Sequence, residues 1–252
     1  MITKANSYMG MMELTLRQMF RSKKFPILLM ITCSPVILVA YAMTQQDVSN
    51  QPYDFLKDFV FILFIQIILI LVPLLYATSL IRDEISNKTI SFLVTRNLAR
   101  GESSMIRFIA HLPVSFAIVA LPVILTYAYV GIAKGGLSSN ADVLGSYLIL
   151  ILIGVIVYSA FFYLLGILLK HPLMIGLLFA FLWEVILTNM PGRIPYVTIM
   201  FYLRSIGSAL IDGGMISEFE TLSLTYSLTA LTALTAVFLY IARRRFSRMD
   251  LI

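Results

Sequence analysis

From Phe59 to Leu80 the chain carries no charged side chain, nor does it in Phe25 to Met43, Leu112 to Ile132, Val143 to Leu169 and Leu222 to Ala242, and a sixth apolar stretch, Leu173 to Thr188, holds one, Glu184. In lipid a backbone must satisfy its own N–H and C=O groups, so runs of this kind are read as spanning helices. The expected fold is therefore an all-α integral membrane domain of six transmembrane helices. Composition agrees: 60% of residues are hydrophobic and 13% charged, where soluble domains carry about 25% charged residues. One transmembrane domain over 1–252 is expected, comprising an interfacial helix (1–24), the first five spans (25–188), an extracytoplasmic re-entrant region (189–221) and a last span with a basic tail (222–252).

The fifth stretch is short. Its sixteen residues reach about 24 Å at 1.5 Å per residue, less than a hydrocarbon core of about 30 Å. Ile194 to Ile211, mostly apolar but interrupted by Pro195, Arg204 and Gly207, fits two short helices dipping into the outer leaflet. An amphipathic cap on the outer surface is the other reading of this segment.

Lysine and arginine fix the expected orientation. Fifteen of the nineteen lie before the first span, between the second and third, at Lys170 or after the last span; Lys57, Lys134, Arg193 and Arg204 are the other four. The positive-inside rule puts the fifteen in the cytoplasm, with both termini, the 82–107 loop and the Lys170-His171-Pro172 turn. The net charge of +6 is thereby explained by the lipid bilayer as partner, and no nucleic acid is expected. The Ala40-Tyr41-Ala42 triplet imitates a signal cleavage site, but the apolar run before it exceeds a signal core of about 7 to 15 residues, so it is expected to be retained.

Before the first span, Met9, Met12, Leu16, Met19 and Phe20 recur at helical spacing while Glu13, Arg17 and Arg21 fall on other faces. A helix lying on the inner membrane surface is expected, against the plainer reading of an extension of the first span. In the cytoplasmic loop, Ile81, Ile85, Thr89 and Phe92 share one helical face and Glu84 pairs with Lys88. The second span is thus expected to continue as helix past the membrane, with Asn97 to Gly101 as a turn and Glu102, Ser103 and Ser104 capping the third helix. Such an apolar ridge suits docking in a partner's groove, or it is a solvated connector.

Over nearly its whole length the chain resembles the short permease subunits of the ATP-binding-cassette type-2 exporter family. The likeness rests on Glu13-Leu14 through Arg21-Ser22-Lys23-Lys24 leading into the first span. It rests equally on Asp83-Glu84, Lys88-Thr89, Phe92-Leu93 and Thr95-Arg96, ending at Arg100-Gly101-Glu102. The resemblance implies a plasma-membrane permease that pairs with a second copy or a related chain. It also implies two separate ATPase subunits, each touched by the loop carrying Asp83, Glu84, Ile85, Lys88, Thr89, Phe92, Arg96 and Arg100. ATP and Mg would be held by those ATPase subunits and no cofactor by this chain.

Glu184, near the outer end of the fifth stretch, is an acid within apolar sequence and needs a partner. Arg193 and Arg204 are the candidates, giving a structural ion pair or capping contact; a gate or substrate contact is the alternative. Gln66 is a second pathway candidate, although a lone amide more often bridges helices. Thr221, Thr225, Thr229 and Thr232, with Ala233 and Ala236, suggest close packing of the last span. Pro35, Pro73, Pro113 and Pro122 can kink their helices.

No Gly-x-x-x-x-Gly-Lys-[Ser/Thr] loop is present, so nucleotide hydrolysis would belong to another chain. His111 and His171 are the only histidines and Cys33 the only cysteine. Neither a His-Glu-x-x-His helix nor a Gly-x-Ser-x-Gly elbow occurs, and the thirteen methionines are dispersed, so no catalysis and no metal site are expected. The expected function is a membrane-spanning exporter permease. A non-transporting scaffold or sensor that recruits a cytoplasmic partner, and a secondary transporter, are the rivals.

Overall fold

The computed structural model describes residues 4–22, 24–45, 51–86, 100–136, 140–211, 213 and 221–247. Among these the chain is all-helical. Helix α1 spans Lys4–Arg21 and α2 spans Lys24–Ala42. Helix α3 starts at Pro52–Phe59, widens into a π-helix over Val60–Ile68 and returns to α-helix over Leu69–Ser86. Helix α4 covers Arg100–Lys134 and α5 covers Ala141–Leu168. Helix α6 covers Pro172–Leu178 and continues as a π-helix over Phe179–Ile186. A 3₁₀ turn at Ile194–Val197 leads into α7, Ile199–Leu210, and α8 is Leu224–Ser247.

Among the described residues five helices are long and apolar enough to cross a membrane: α2, α3, α4, α5 and α8. The chain is a multi-pass helical membrane protein. Helix α6 is a shorter apolar helix, as its sixteen-residue stretch foretold, and so is α7. The tight turn at Lys170-His171-Pro172 is present: α5 stops at Leu168, His171 stands just before α6 without a capping bond, and Pro172 takes the first helical position. There the missing proline N–H costs no helical bond.

Helix α5 is the centre of the bundle, packing against α3, α4, α6, α7 and α8. Its large side chains Tyr147, Tyr158, Phe162 and Tyr163 are fully buried. Glycines bring its neighbours close: a Cβ at Gly166 would lie 3.1 Å from the Thr78 carbonyl oxygen, so α3 backbone rests directly on α5. A Cβ at Gly176 of α6 would collide with Leu74 of α3.

The two ends of the bundle are tied by different bonds. At one end the Tyr53 hydroxyl donates to the Gly135 carbonyl at 2.5 Å, Tyr147 to the Lys57 carbonyl at 2.9 Å, and Ser146 to the Leu210 carbonyl at 3.1 Å. Gly135 and Gly136 have φ of 77° and 80° in the turn after α4, a left-handed conformation that glycine adopts without strain. At the other end Tyr8 donates to Glu102 at 3.1 Å, and Gly101 lies against Arg243.

One expectation is corrected. Helix α4 begins at Arg100, so Glu102, Ser103 and Ser104 lie within its first turns and do not cap a helix beginning near Leu112. Nothing between Arg100 and Leu112 breaks a helix, and its 35 residues reach about 52 Å at 1.5 Å per residue, well beyond a hydrocarbon core of about 30 Å. Helix α1 buries Met11, Thr15 and Met19 and leaves Met9 and Phe20 exposed. Contact with α4 selects this i, i+4, i+8 stripe, because α1 is apolar on more than one face. On α8 the buried stripe is Ser227, Leu231, Ala242 and Phe246, whereas Thr225, Thr229, Thr232, Ala233 and Ala236 face outward. The small residues therefore do not pack within this chain.

Candidate functional site

The densest polar cluster joins α6 to α7. The π-helical turns of α6 present Glu184 inward while Leu182 and Trp183 stay exposed. The chain then reverses through Gly192, whose φ of 82° is left-handed. It enters α7 through Thr198, an extended residue with φ −105° and ψ 146°.

The first N–H groups of a helix have no intrahelical acceptor. Here Glu184 supplies one from another helix. Its Oε1 accepts the Ile199 N–H at 3.0 Å and its Oε2 the Met200 N–H at 2.8 Å. Thr198 caps the next, accepting the Phe201 N–H at 3.2 Å. The Tyr158 hydroxyl of α5 donates to Glu184 Oε2 at 2.8 Å. A carboxylate at the positive end of α7 is placed where the helix dipole favours it.

Arg204 closes the same turn from the far side. Its Nη2 donates to Asn189 Oδ1 at 2.9 Å and its Nη1 to the Thr188 carbonyl at 3.5 Å, while Asn189 donates to the Val185 carbonyl at 2.6 Å. The guanidinium also lies 5.5 Å from the centre of the Phe61 ring on α3, a cation–π distance. Thr188 sits between the halves, its hydroxyl against the Glu184 carbonyl and 3.0 Å from Thr198 Oγ1. Glu184 is 1% exposed and Arg204 2%. In chemical terms the cluster is a clamp: α5 and α6 hold the start of α7 through one carboxylate.

Of the residues expected here, Glu184 and Arg204 meet in one cluster, and Arg193 does not. It stands exposed before the 3₁₀ turn. Tyr158, Thr188, Asn189 and Thr198 were missed, and the acceptor groups they complete are mostly backbone, which leaves no side-chain signature in a sequence. Gln66 lies on the π-helical part of α3, half-buried, in a shallow groove with Ile67 and Ile70 and with Ala180, Phe181 and Val185 of α6. Both π-helical segments thus line one groove.

At the opposite end α3 remains helical to Ser86, so the expected continuation of the second span holds that far. Asp83, Glu84 and Ile85 lie on this helix, although their side chains are not described. Lys88, Thr89, Phe92 and Arg96 lie outside the described residues, and Arg100 opens α4. On α1, Arg17 bonds Glu13 at 2.6 Å with both side chains exposed, and Arg21 is exposed in the last turn. The Tyr8 hydroxyl is pushed above its ordinary range because it donates to the Glu102 carboxylate. Removing its proton would put two negative groups side by side.

No curated protein matches the chain. A family model described as "Protein of unknown function (DUF2705)" matches residues 27–252. That match takes in α2 from its fourth residue and every helix from α3 to α8, the Glu184 clamp and the Gln66 groove included, and the chain belongs to this family.

Proposed function

We propose that the chain is the membrane-spanning permease of an ATP-binding-cassette exporter, with both termini in the cytoplasm, six spans counting α6, and ATP hydrolysed on separate subunits. One observation carries the reading: α3 leaves the apolar bundle as continuous helix to Ser86, at the end where Tyr8, Glu102 and Arg243 gather. A helix rigid across its exit transmits displacement at its tip to the membrane interior. The Asp83-to-Arg96 pattern that follows resembles the ATPase-contacting loop of that exporter family. At the far end the 3₁₀ turn at Ile194–Val197 and α7 are two short elements tied to α6 by Glu184, the form expected of a re-entrant outer gate after the fifth span. The groove containing Gln66 lies between the π-helical parts of α3 and α6. In this reading it faces the pathway.

A second copy is the partner in the membrane. Support comes from α8, which leaves Thr225, Thr229 and Ala233 outward at four-residue spacing, the small-residue pattern that permits close helix approach in lipid.

Affinity purification from native membranes tests the assignment. An ATPase of the binding-cassette type is expected to accompany the chain, and Glu84→Ala or Phe92→Ala is expected to uncouple its hydrolysis from transport. Purification without any ATPase, with a different cytoplasmic protein in its place, would favour a scaffold and end the exporter reading.

A further inference from the structure

Helices α6 and α7 are each too short to cross a membrane alone. At 1.5 Å per residue, α6, with 7 α-helical and 8 π-helical residues, reaches about 22 Å and the 12 residues of α7 about 18 Å, against a hydrocarbon core of about 30 Å. Contacts with α5 fix where each one lies. Helix α6 starts at the Lys170-His171-Pro172 turn, at the end of the bundle where the Tyr163 hydroxyl donates to the Ser104 carbonyl at 2.7 Å. Helix α7 ends where Ser146 donates to the Leu210 carbonyl, at the opposite end, next to the bond from Tyr147 to Lys57.

The Glu184 clamp lies between those ends, and α3 fixes its depth. Leu69 stands in the middle of the uncharged run from Phe59 to Leu80. A Cβ at Gly154 of α5 would collide with Leu69, so Gly154 marks the same level on α5. Tyr158 is one turn further, about 6 Å along the axis, and its hydroxyl donates to Glu184. Ser146 and Tyr158 are about 18 Å apart along α5, which matches the length of α7, held near Ser146 at one end and by Glu184 at the other. The 3₁₀ turn comes back to this level too: the Trp183 indole N–H donates to the Val197 carbonyl at 3.2 Å. Tryptophan at a membrane surface finds acceptors among headgroups and water, whereas this N–H is satisfied by the protein itself.

We propose that α6 and α7 are the two halves of one interrupted span, and that Glu184, Arg204 and their partners form a polar junction at the middle of the bilayer. Helix α6 carries the chain in from the Tyr8 end, the junction turns it, and α7 completes the crossing at the Tyr53 end. Irregular backbone at that depth is tolerated only where protein satisfies it, and Glu184, Thr198 and Arg204 do so here. The Gln66 groove, walled by Ala180 and Val185 of α6, opens at the same depth. The inference rests on helix registers and holds for an exporter or a scaffold alike.

Trp183 is the only tryptophan and its ring is 44% exposed, so the unsubstituted chain reports the depth of the junction. In vesicles of lipids brominated along the acyl chain, its emission is expected to fall more with bromines near the chain end than with bromines near the headgroup. Aqueous iodide is expected to cause little loss. Greater loss from headgroup-proximal bromines or from iodide would overturn the proposal. Spin labels in a Cys33→Ser background give an independent reading should the ring be shielded from lipid. Ile186→Cys and Val197→Cys, exposed at the tip of α6 and in the 3₁₀ turn, are expected to match Ile67→Cys of mid-α3 in the ratio of oxygen to polar nickel-chelate collisions. Met174→Cys and Ile132→Cys, exposed near the two ends of the bundle, are expected to give lower ratios. An Ile186 label that matches Ile132 would mean that α6 crosses alone, and the junction would be lost.

Discussion

Glu184 Oε2 accepts the Met200 N–H at 2.8 Å, so a side chain of α6 ends the backbone deficit of α7. The same oxygen receives the Tyr158 hydroxyl. Removing the carboxylate leaves two helix N–H groups and one phenol unpaired where water is scarce. Glu184→Ala is expected to lower stability by about 3 kcal/mol, since each orphaned buried group costs about 1–3 kcal/mol. Tyr158→Phe removes a single donor and is expected to cost about 1 kcal/mol. Thermal unfolding in detergent measures both. An unchanged midpoint for Glu184→Ala would contradict the clamp.

Glycines on α5 give a graded series. Gly166→Ala drives a methyl against α3 backbone, which cannot rotate away, and is expected to cost about 1–3 kcal/mol. Gly154→Ala meets the Leu69 side chain, which has other rotamers, and is expected to cost less. Gly145 has open space around its Cβ position, so Gly145→Ala is expected to stabilise by about 0.5 kcal/mol through helix propensity. The order of the three unfolding midpoints checks the α3–α5 contact.

Attachment of α1 depends on pH through Tyr8. Its folded pKa lies above the ordinary value near 10, so its contribution is fully present below that value and is lost as pH rises through the raised one. A spin label at Met9→Cys in a Cys33→Ser background is expected to gain mobility only in strong alkali. Tyr8→Phe is expected to remove that alkaline transition while raising mobility at neutral pH. A label equally mobile at every pH in the parent chain would refute the tether.

The outward stripe of α8 predicts how copies meet. Thr229→Cys is expected to crosslink between two chains on oxidation, and Ser227→Cys, which faces the bundle, is not. Thr229→Trp is expected to shift the purified protein toward the monomer. Crosslinking at neither position, with a dimer still present, would place the interface elsewhere.

Much of the fold was legible because lipid imposes simple conditions. Uncharged runs forecast the long helices, Pro172 after Lys170-His171 forecast the reversal into α6, and Pro195 with the polar breaks forecast two short elements before α8. The need of Glu184 for partners was equally plain. Which partners was not, since the nearest opposite charges suggest Arg193 and Arg204, while the groups that bind the carboxylate include two amide N–H groups that every residue possesses.

The sequence by itself determined that the chain spans a membrane as helices, since charge-free length and backbone satisfaction depend on local composition alone. Tertiary structure decided which face of each helix turns inward. Helix α1 is apolar on several faces and α8 is small-residued on one and bulky on another, so neither periodicity singles out the buried side. Only the shape of α4 and α5 does that, selecting Met11, Thr15 and Met19 on α1 and Ser227 and Leu231 on α8.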